Sequence, residues 1–229
     1  MNIVQDFIPA GRKNRPGYAM KPEYITVHDT ANPARGADAL AHATYLKGNE
    51  AASRPASWHF TVDDKRIVQH LPITESAWHA GDGGSGPGNR KSIGIEICEN
   101  ADGDRAKAEE NVVKLIADLL LKTGIPLSNV VQHHHWSGKN CPAKLRGKWS
   151  EFIKRIEAEI KKNDPLPDEP GGSGVFKDVP DDHWARASIE KAYHAGVMVG
   201  ISDGVFGLGQ PVTREQLASI LDRIGLLGK

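Results

Sequence analysis

The 229-residue chain is poor in cysteine, with Cys98 and Cys141 its only two. Two thiols cannot build the disulfide framework that holds small secreted domains together. A single Cys98–Cys141 bond is the most that oxidation after release from a cell would allow. The chain also lacks any apolar run near the roughly 20 residues that a bilayer span requires, so a membrane is not an expected partner. Its first stretch, MNIVQDFIPAGRKNRPGY, has no apolar segment of the signal-peptide kind, and no secretory signal is read there. Net charge is absent too: 29 Lys+Arg balance 29 Asp+Glu. A neutral chain presents no broad basic face, and nucleic acid is not an expected partner. The balance is slightly uneven, with a small basic excess before residue 163 that would suit an anionic polymer. What is present, 39% hydrophobic and 25% charged residues, is the composition of an ordinary globular protein.

NDPLPDEPGGSG, residues 163–174, combines three prolines and three glycines without apolar periodicity. It reads as a linker, stiff at the proline end and pliant at the glycine end. It separates a larger domain over 1–162 from a smaller one over 175–229. In the larger domain YITVHDT is a β-branched run expected to be a strand. Its Ile25 and Val27 point one way, Thr26 and His28 the other. SWHFTVDDKRIVQHL reads as two strands joined at Asp63-Asp64-Lys65, and SNVVQHH as a short strand. SIGIEIC sets Ile93, Ile95 and Ile97 against Gly94, Glu96 and Cys98. ADALAHATYLK looks helical. DRAKAEENVVKLIADLLLKTG carries Ala108, Val112, Leu115, Ile116 and Leu119 at helical spacing and stops at Gly124. KWSEFIKRIEAEIKK is amphipathic, with Trp149, Phe152, Ile153, Ile156 and Ile160 on one side. The expected class is α/β: a central mixed sheet flanked by helices, plus a small helical C-terminal domain.

HHHWSGKNCP, residues 133–142, places three histidines ahead of a lone cysteine. A single strand histidine such as His28 is usually structural, but His133 and Cys141 offer it partners. Two imidazoles and one thiolate would leave a tetrahedral zinc ion one open position, the layout of a catalytic site. The spacing of His133 and Cys141 matches no standard zinc finger.

ITVHDT, SWHFTVDD, AWHAGDGGSGPGNRKSIGIEIC and NVVQHHHWSGKNCP, in that order over roughly residues 15–160, resemble the type-2 N-acetylmuramoyl-L-alanine amidases. That family includes phage and Bacillus endolysins and shares its fold with peptidoglycan recognition proteins. The resemblance implies that His28, His133 and Cys141 bind zinc and that Glu96 and Lys139 assist the chemistry. It makes the first histidine of the triplet the ligand. His134 would then point to the other face of the strand, and His135 would lie near the turn. Glu96 would act as general base and then general acid, and Lys139 as donor to a tetrahedral oxyanion. Related phage enzymes place a tyrosine where this chain has Trp58. An indole has no phenolic hydroxyl, so packing or stacking on substrate is expected of Trp58. His59 reads as a structural or outer-sphere group. GDGGSGPGN, residues 81–89, has five glycines in nine residues but no following Gly-Lys-Ser/Thr, and reads as a mobile loop beside a cleft. Trp78 and His79 before it are candidate substrate contacts, with core packing equally open for Trp78.

FKDVPDDHWARASIEKAYHAGVMVGISDGVFGLGQPVTREQLASILDRIG, residues 176–225, resembles one S-layer homology repeat. Thr213 and Gln216 form a capping-box pattern ahead of the stripe Leu217, Ile220, Leu221 and Ile224. Two short helices around a glycine loop are expected to make a small core. The resemblance implies anchoring to a secondary polymer of Gram-positive walls, a task that family performs with three repeats. One copy here raises self-association through the C-terminal domain. Together the two resemblances imply a Zn2+ hydrolase that cuts peptidoglycan between N-acetylmuramic acid and L-alanine. With no signal read, the expectation is a phage or prophage endolysin held in the host cytoplasm until lysis, then acting at the wall. A non-catalytic peptidoglycan-binding protein on the same fold, or a metallopeptidase of the stem peptide, are the alternatives.

Overall fold

The computed structural model describes residues 3–163 and 175–227. The chain divides into two compact units, residues 1–164 and 165–229, each treated by itself. Apart from Asn163, the stretch expected to be a linker lies outside the described residues.

The first unit is built on one sheet. Its strands are β1 (Ile3–Gln5), β2 (Tyr24–Asp29), β3 (Phe60–Val62), β4 (Ile67–Gln69), β5 (Ser92–Ile97) and β6 (Val130–Gln132). They lie in the order β1-β4-β3-β5-β2-β6. β2 runs parallel to β5 and β6, β3 runs parallel to β5, and β1 runs parallel to β4; the β3–β4 hairpin is antiparallel. The helices are α1 (Ala39–Lys47), α2 (Asn49–Ala52), α3 (Pro87–Lys91), α4 (Arg105–Thr123), α5 (His134–Ser137) and α6 (Trp149–Asn163).

One face of the sheet carries most of its apolar side chains. Ile25, Val27, Phe60, Val62, Ile67, Ile93, Ile95 and Ile97 pack in one cluster with Val112, Leu115, Ile116 and Leu119 of α4 and Phe152 and Ile156 of α6. Each such side chain contributes about 1.5–3 kcal/mol when fully buried, so this face dominates the stability of the unit. α4 is delimited as its sequence implies. Asp104 caps it by accepting from the Lys107 N–H, and Gly124 ends it at φ 71. The opposite face carries the polar groups. Parallel register sets Thr26 beside Gly94 and His28 beside Glu96 at the C-terminal ends of β2 and β5. That is where open α/β sheets collect their ligands. Cys98 lies past this end, in a small apolar cluster with Ala39, Ala43 and Val68.

Strand β6 is shorter than the sequence reading. It stops at Gln132, and His133 already has helical backbone at φ −52, ψ −35. The ladder ends because the next backbone groups turn elsewhere: the His134 N–H donates to the Cys141 carbonyl, and the Trp136 N–H to the His133 carbonyl. The two-residue alternation therefore does not apply to His134 and His135. Both are exposed on α5, where the His135 ring stacks edge-on to Trp136.

The second unit holds α7 (Arg186–His194) and α8 (Arg214–Arg223). Its core is Phe176, Val179 and Ile189, with Phe206 and Leu208 packed against them. The Asp178 carboxylate accepts from the Phe206, Gly207 and Leu208 N–H groups at 2.7, 2.7 and 3.1 Å, folding the glycine loop back onto this core. The Thr213–Gln216 capping box is formed in both directions. The apolar stripe of α8 is not enclosed, contrary to the expectation of a core shared by both helices. Leu217 and Ile224 are 51% and 47% exposed, and no residue of α8 is buried.

Candidate metal centre

Three ligand-type atoms converge at the C-terminal ends of β2 and β6. His28 Nδ1 lies 3.0 Å from His133 Nδ1 and 3.8 Å from Cys141 Sγ. All three residues are buried, and their ligand atoms lie within 4.8 Å of one another. The trio is distant in sequence and is assembled by backbone bonds. The His133 N–H donates to the Val27 carbonyl, and the Asp29 N–H points at Cys141 Sγ at 3.4 Å. Asp29 also ties down the cysteine loop: its carboxylate accepts from the Lys144 N–H at 2.9 Å and pairs with Arg105 at 2.6 Å.

The ring tautomers follow from the hydrogen bonds. The Ser92 carbonyl only accepts, so His79 Nε2, 3.1 Å away, carries the proton. His79 Nδ1 is then an acceptor, and His28 Nε2 donates to it across 3.0 Å. That leaves His28 Nδ1 unprotonated and aimed at the other two ligand atoms. The His133 Nε2 faces Gly81, and its Nδ1 points inward at His28 Nδ1. Burial, the largest cause, holds His28 well below the ordinary histidine range and takes His79 down to about 3. The rings are therefore neutral. Two bare nitrogen lone pairs 3.0 Å apart repel each other unless a cation takes both.

The cysteine and the nearby carboxylate make the same point. Burial pushes the Cys141 thiol up to about 12. Burial also pushes Glu96 up to about 8, with Lys139 pulling the other way and Asp29 and Glu99 adding to the rise. Glu96 Oε1 is 3.9 Å from His28 Nδ1, and its Oε2 is buried with no hydrogen-bond partner among the described residues. Two neutral imidazoles, a thiol that will not ionise unaided and an orphaned carboxylate oxygen are the groups that a divalent cation compensates. His₂Cys is a donor set suited to zinc, and it leaves a tetrahedral ion one open position. Lys139 sits exposed in the turn before Cys141, and its charge acts on His28, Glu96, His133 and Cys141 alike.

Residues 18–144 match the family described as N-acetylmuramoyl-L-alanine amidase, and residues 175–218 match the S-layer homology domain. The chain belongs to this amidase family. It is similar to the N-acetylmuramoyl-L-alanine amidase CwlH of Bacillus subtilis (strain 168), 54% identical over 178 residues that cover 77% of this chain and 70% of that protein. It is 62% identical over 152 residues to XlyA of the same organism, covering 66% of this chain but 50% of that one. Among solved structures, the catalytic domain of XlyA aligns with a TM-score of 0.66 at 62% identity, covering 68% of this chain and 99% of that chain. PlyL aligns with a TM-score of 0.62 at 39% identity, covering 68% of this chain and 97% of that chain.

Within the amidase unit the remaining candidate residues fall in several places. His79 is not a surface contact for substrate: both its ring nitrogens are engaged, one of them on His28. Trp58 donates its indole N–H to Thr61 at 2.7 Å and packs on Ile8, Leu46, Leu71 and Ala77, so packing is the role its surroundings provide. Trp78 donates to the Lys13 carbonyl at 3.2 Å and lies against Gly84, half-buried beside the glycine loop. His59 bridges two backbones, accepting from the Gly94 N–H at 2.9 Å and lying 2.8 Å from the Glu75 carbonyl. Cys98 and Cys141 are both free thiols. Residues 81–89 are not a bare loop. The Asp82 carboxylate accepts from the Gly88 and Asn89 N–H groups, and Asn89 reaches back to Gly83. Asp29 and Asn89 escaped sequence reasoning. The available signal was a polar residue inside a block that otherwise resembles the family, and such a residue on its own does not declare its partners.

Proposed function

We propose that this chain is a zinc-dependent N-acetylmuramoyl-L-alanine amidase that hydrolyses the amide between the lactyl group of N-acetylmuramic acid and L-alanine in peptidoglycan. The observation that carries the reading is the convergence of His28 Nδ1, His133 Nδ1 and Cys141 Sγ beside Glu96, whose Oε2 has no hydrogen-bond partner among the described residues. Zinc bound there supplies a Lewis acid for the amide carbonyl and brings the pKa of water toward about 7. Glu96 takes the proton from the attacking water. Burial raises the Glu96 carboxyl to about 8 in the fold without a cation, and a bound cation would lower it toward neutrality, so that it can take this proton and pass it to the departing nitrogen as the C–N bond breaks. Lys139, exposed at the rim, donates to the oxyanion that forms on the carbonyl. The products are a muramyl carboxylate and a peptide with a free L-alanine amine.

The S-layer homology unit retains the enzyme at the wall by binding a secondary polymer. Its open α8 face borders a cavity of about 380 Å³ lined in part by Val199, Ile201, Val212, Ile220 and Arg223. Exposed apolar surface of that kind supports self-association of this unit. The biological setting proposed is that of a phage or prophage endolysin, kept in the cytoplasm until the membrane is breached. Digestion of purified Gram-positive walls, with product masses and zinc content measured together, tests the reading. Stem peptides ending in free L-alanine, released only when zinc is present, are expected. Cleavage within the stem peptide would make the chain a metallopeptidase. Wall binding without any cleavage would make it a binding protein.

A further inference from the structure

We infer that Asn89 is the positioning residue for both histidine ligands, acting through the two-residue segment His79–Ala80. The inference rests on the zinc reading above. Asn89 is 3% exposed. Its Oδ1 accepts from the His79 N–H and the Ala80 N–H, both at 2.8 Å. An amide oxygen has two lone pairs, and both are used. Its Nδ2 donates to the Gly83 carbonyl at 3.0 Å, and its own carbonyl accepts from the Ala77 N–H at 3.4 Å. One side chain thus holds residues 79, 80 and 83 in a single arrangement.

The segment so held touches both rings from behind. The His79 ring accepts from His28 Nε2, and the backbone that follows Ala80 lies against His133: a Cβ at Gly81 would come within 3.6 Å of its Nε2. The site has little slack. A Cβ at Gly94 would come within 2.7 Å of the His79 ring, and one at Gly88 within 2.5 Å of Ala80 Cβ. A shift of the segment therefore swings two of the three ligands at once. Asn89 touches none of the ligand atoms, and its effect is on which ring nitrogen faces the metal. Outer-sphere partners of this kind typically change metal affinity about 10–100-fold. Asparagine is the side chain that suits the place. Alanine removes the acceptor. Aspartate keeps the acceptor for both N–H groups but turns a second oxygen toward the Gly83 carbonyl.

The test uses the full chain as wild type, Asn89→Asp, Asn89→Ala and the control Asn14→Ala. Asn14 is another buried asparagine, bonded to the Leu46 carbonyl at 2.8 Å. Zinc affinity is read by chelator competition. Ring tautomers of the metal-free protein are read by long-range ¹⁵N–¹H NMR. Asn89→Ala should bind zinc about 10–100-fold more weakly than wild type, with Asn89→Asp between the two and Asn14→Ala equal to wild type. In metal-free wild type, His28 and His79 should both carry the proton on Nε2, and in Asn89→Ala that preference should be lost. If Asn89→Ala does not fold, Asn89→Asp decides alone: a partial loss of affinity with a weakened tautomer preference supports the inference, and wild-type affinity with wild-type tautomers overturns it. A folded Asn89→Ala with unchanged affinity and unchanged tautomers overturns it, as does a loss in Asn89→Asp equal to that in Asn89→Ala. Failure of the wild type to bind zinc would refute the zinc reading instead, and the tautomer comparison would still decide the role of Asn89.

Discussion

Glu96→Gln should make the metal-free protein more stable at high pH while abolishing most of its activity. The carboxyl group titrates at about 8 in the fold against 4.5 ordinarily, chiefly because it is buried. A raised folded-state pKa means that the native protein binds the proton more tightly than the unfolded chain does. Its stabilising effect is complete below about pH 4.5 and is lost as pH rises toward about 8. At about 1.4 kcal/mol per pKa unit, the raised pKa of Glu96 costs the metal-free fold about 3 kcal/mol at pH 7, where the carboxyl is held protonated, and nearly 5 above pH 8, where it ionises. The side chain is only 14% exposed, so solvent screening takes little of this away. Glutamine removes the charge but leaves a buried amide in place of an oxygen that already lacks a partner, which costs about 1–3 kcal/mol at every pH. The net gain at pH 7 is therefore small, and the change with pH is the sharper quantity. Between pH 5 and 8.5 the variant should gain up to about 4 kcal/mol on wild type. Urea unfolding of both proteins in chelator across that range measures it. His28, His79 and His133 are common to both proteins and cancel in the difference. Added zinc should shrink the gap, because a nearby cation favours the charged carboxylate. Turnover on walls should fall roughly 10²–10⁴-fold with zinc still bound. Parallel pH profiles for the two unfolding curves would refute the argument that Glu96 is buried as a strained charge. Near-normal turnover would move the proton-carrying role elsewhere.

Other outcomes follow from the same geometry. Cys141→Ser should lose zinc and activity, whereas Cys98→Ser, altered only in the cluster of Ala39, Ala43 and Val68, should keep both; metal analysis and wall clearing check the pair. Zinc affinity should rise at least about tenfold per pH unit between pH 6 and 9, because binding must displace the proton of a thiol titrating at about 12 while the histidines are already neutral. Chelator competition across that range should find a pH-independent affinity only if the thiol is not a ligand. A chain ending at Asn163 should cleave soluble muropeptide at close to the full-length rate yet clear intact walls more slowly, because the tether raises local substrate concentration. Equal rates on intact walls would remove the targeting role from the second unit.

Much of the fold was legible in the chain itself. Alternation placed Ile93, Ile95 and Ile97 on the core face of β5 and Glu96 on the other. The 3.6-residue period placed Ala108, Val112, Leu115, Ile116 and Leu119 on the buried side of α4, and Gly124 ends that helix as capping chemistry requires. The convergence of His28, His133 and Cys141 was legible through the order of four motif blocks rather than through spacing, since His28 and Cys141 lie 113 positions apart. Two local readings went astray at places where distant atoms compete for the backbone. β6 ended early because the Cys141 carbonyl takes the His134 N–H, and no residue of α8 is buried among the described residues.

By itself, then, the sequence determined the strands, the helices, the apolar face and the identity of the three ligand-type side chains, because each depends on neighbours within a few residues or on a motif. Only the tertiary structure decided that His28 faces His133 and Cys141 through Nδ1, that His79 stands behind it with both ring nitrogens engaged, and that the Asn89 side chain accepts from the His79 and Ala80 N–H groups. A ring's tautomer is set by whichever donor or acceptor packs against its far nitrogen. For His28 that group is His79, 51 positions along the chain, whose own proton is fixed by the Ser92 carbonyl. No local pattern encodes such a relay, because it exists only once β2, β5 and the loop between β4 and β5 have been brought together.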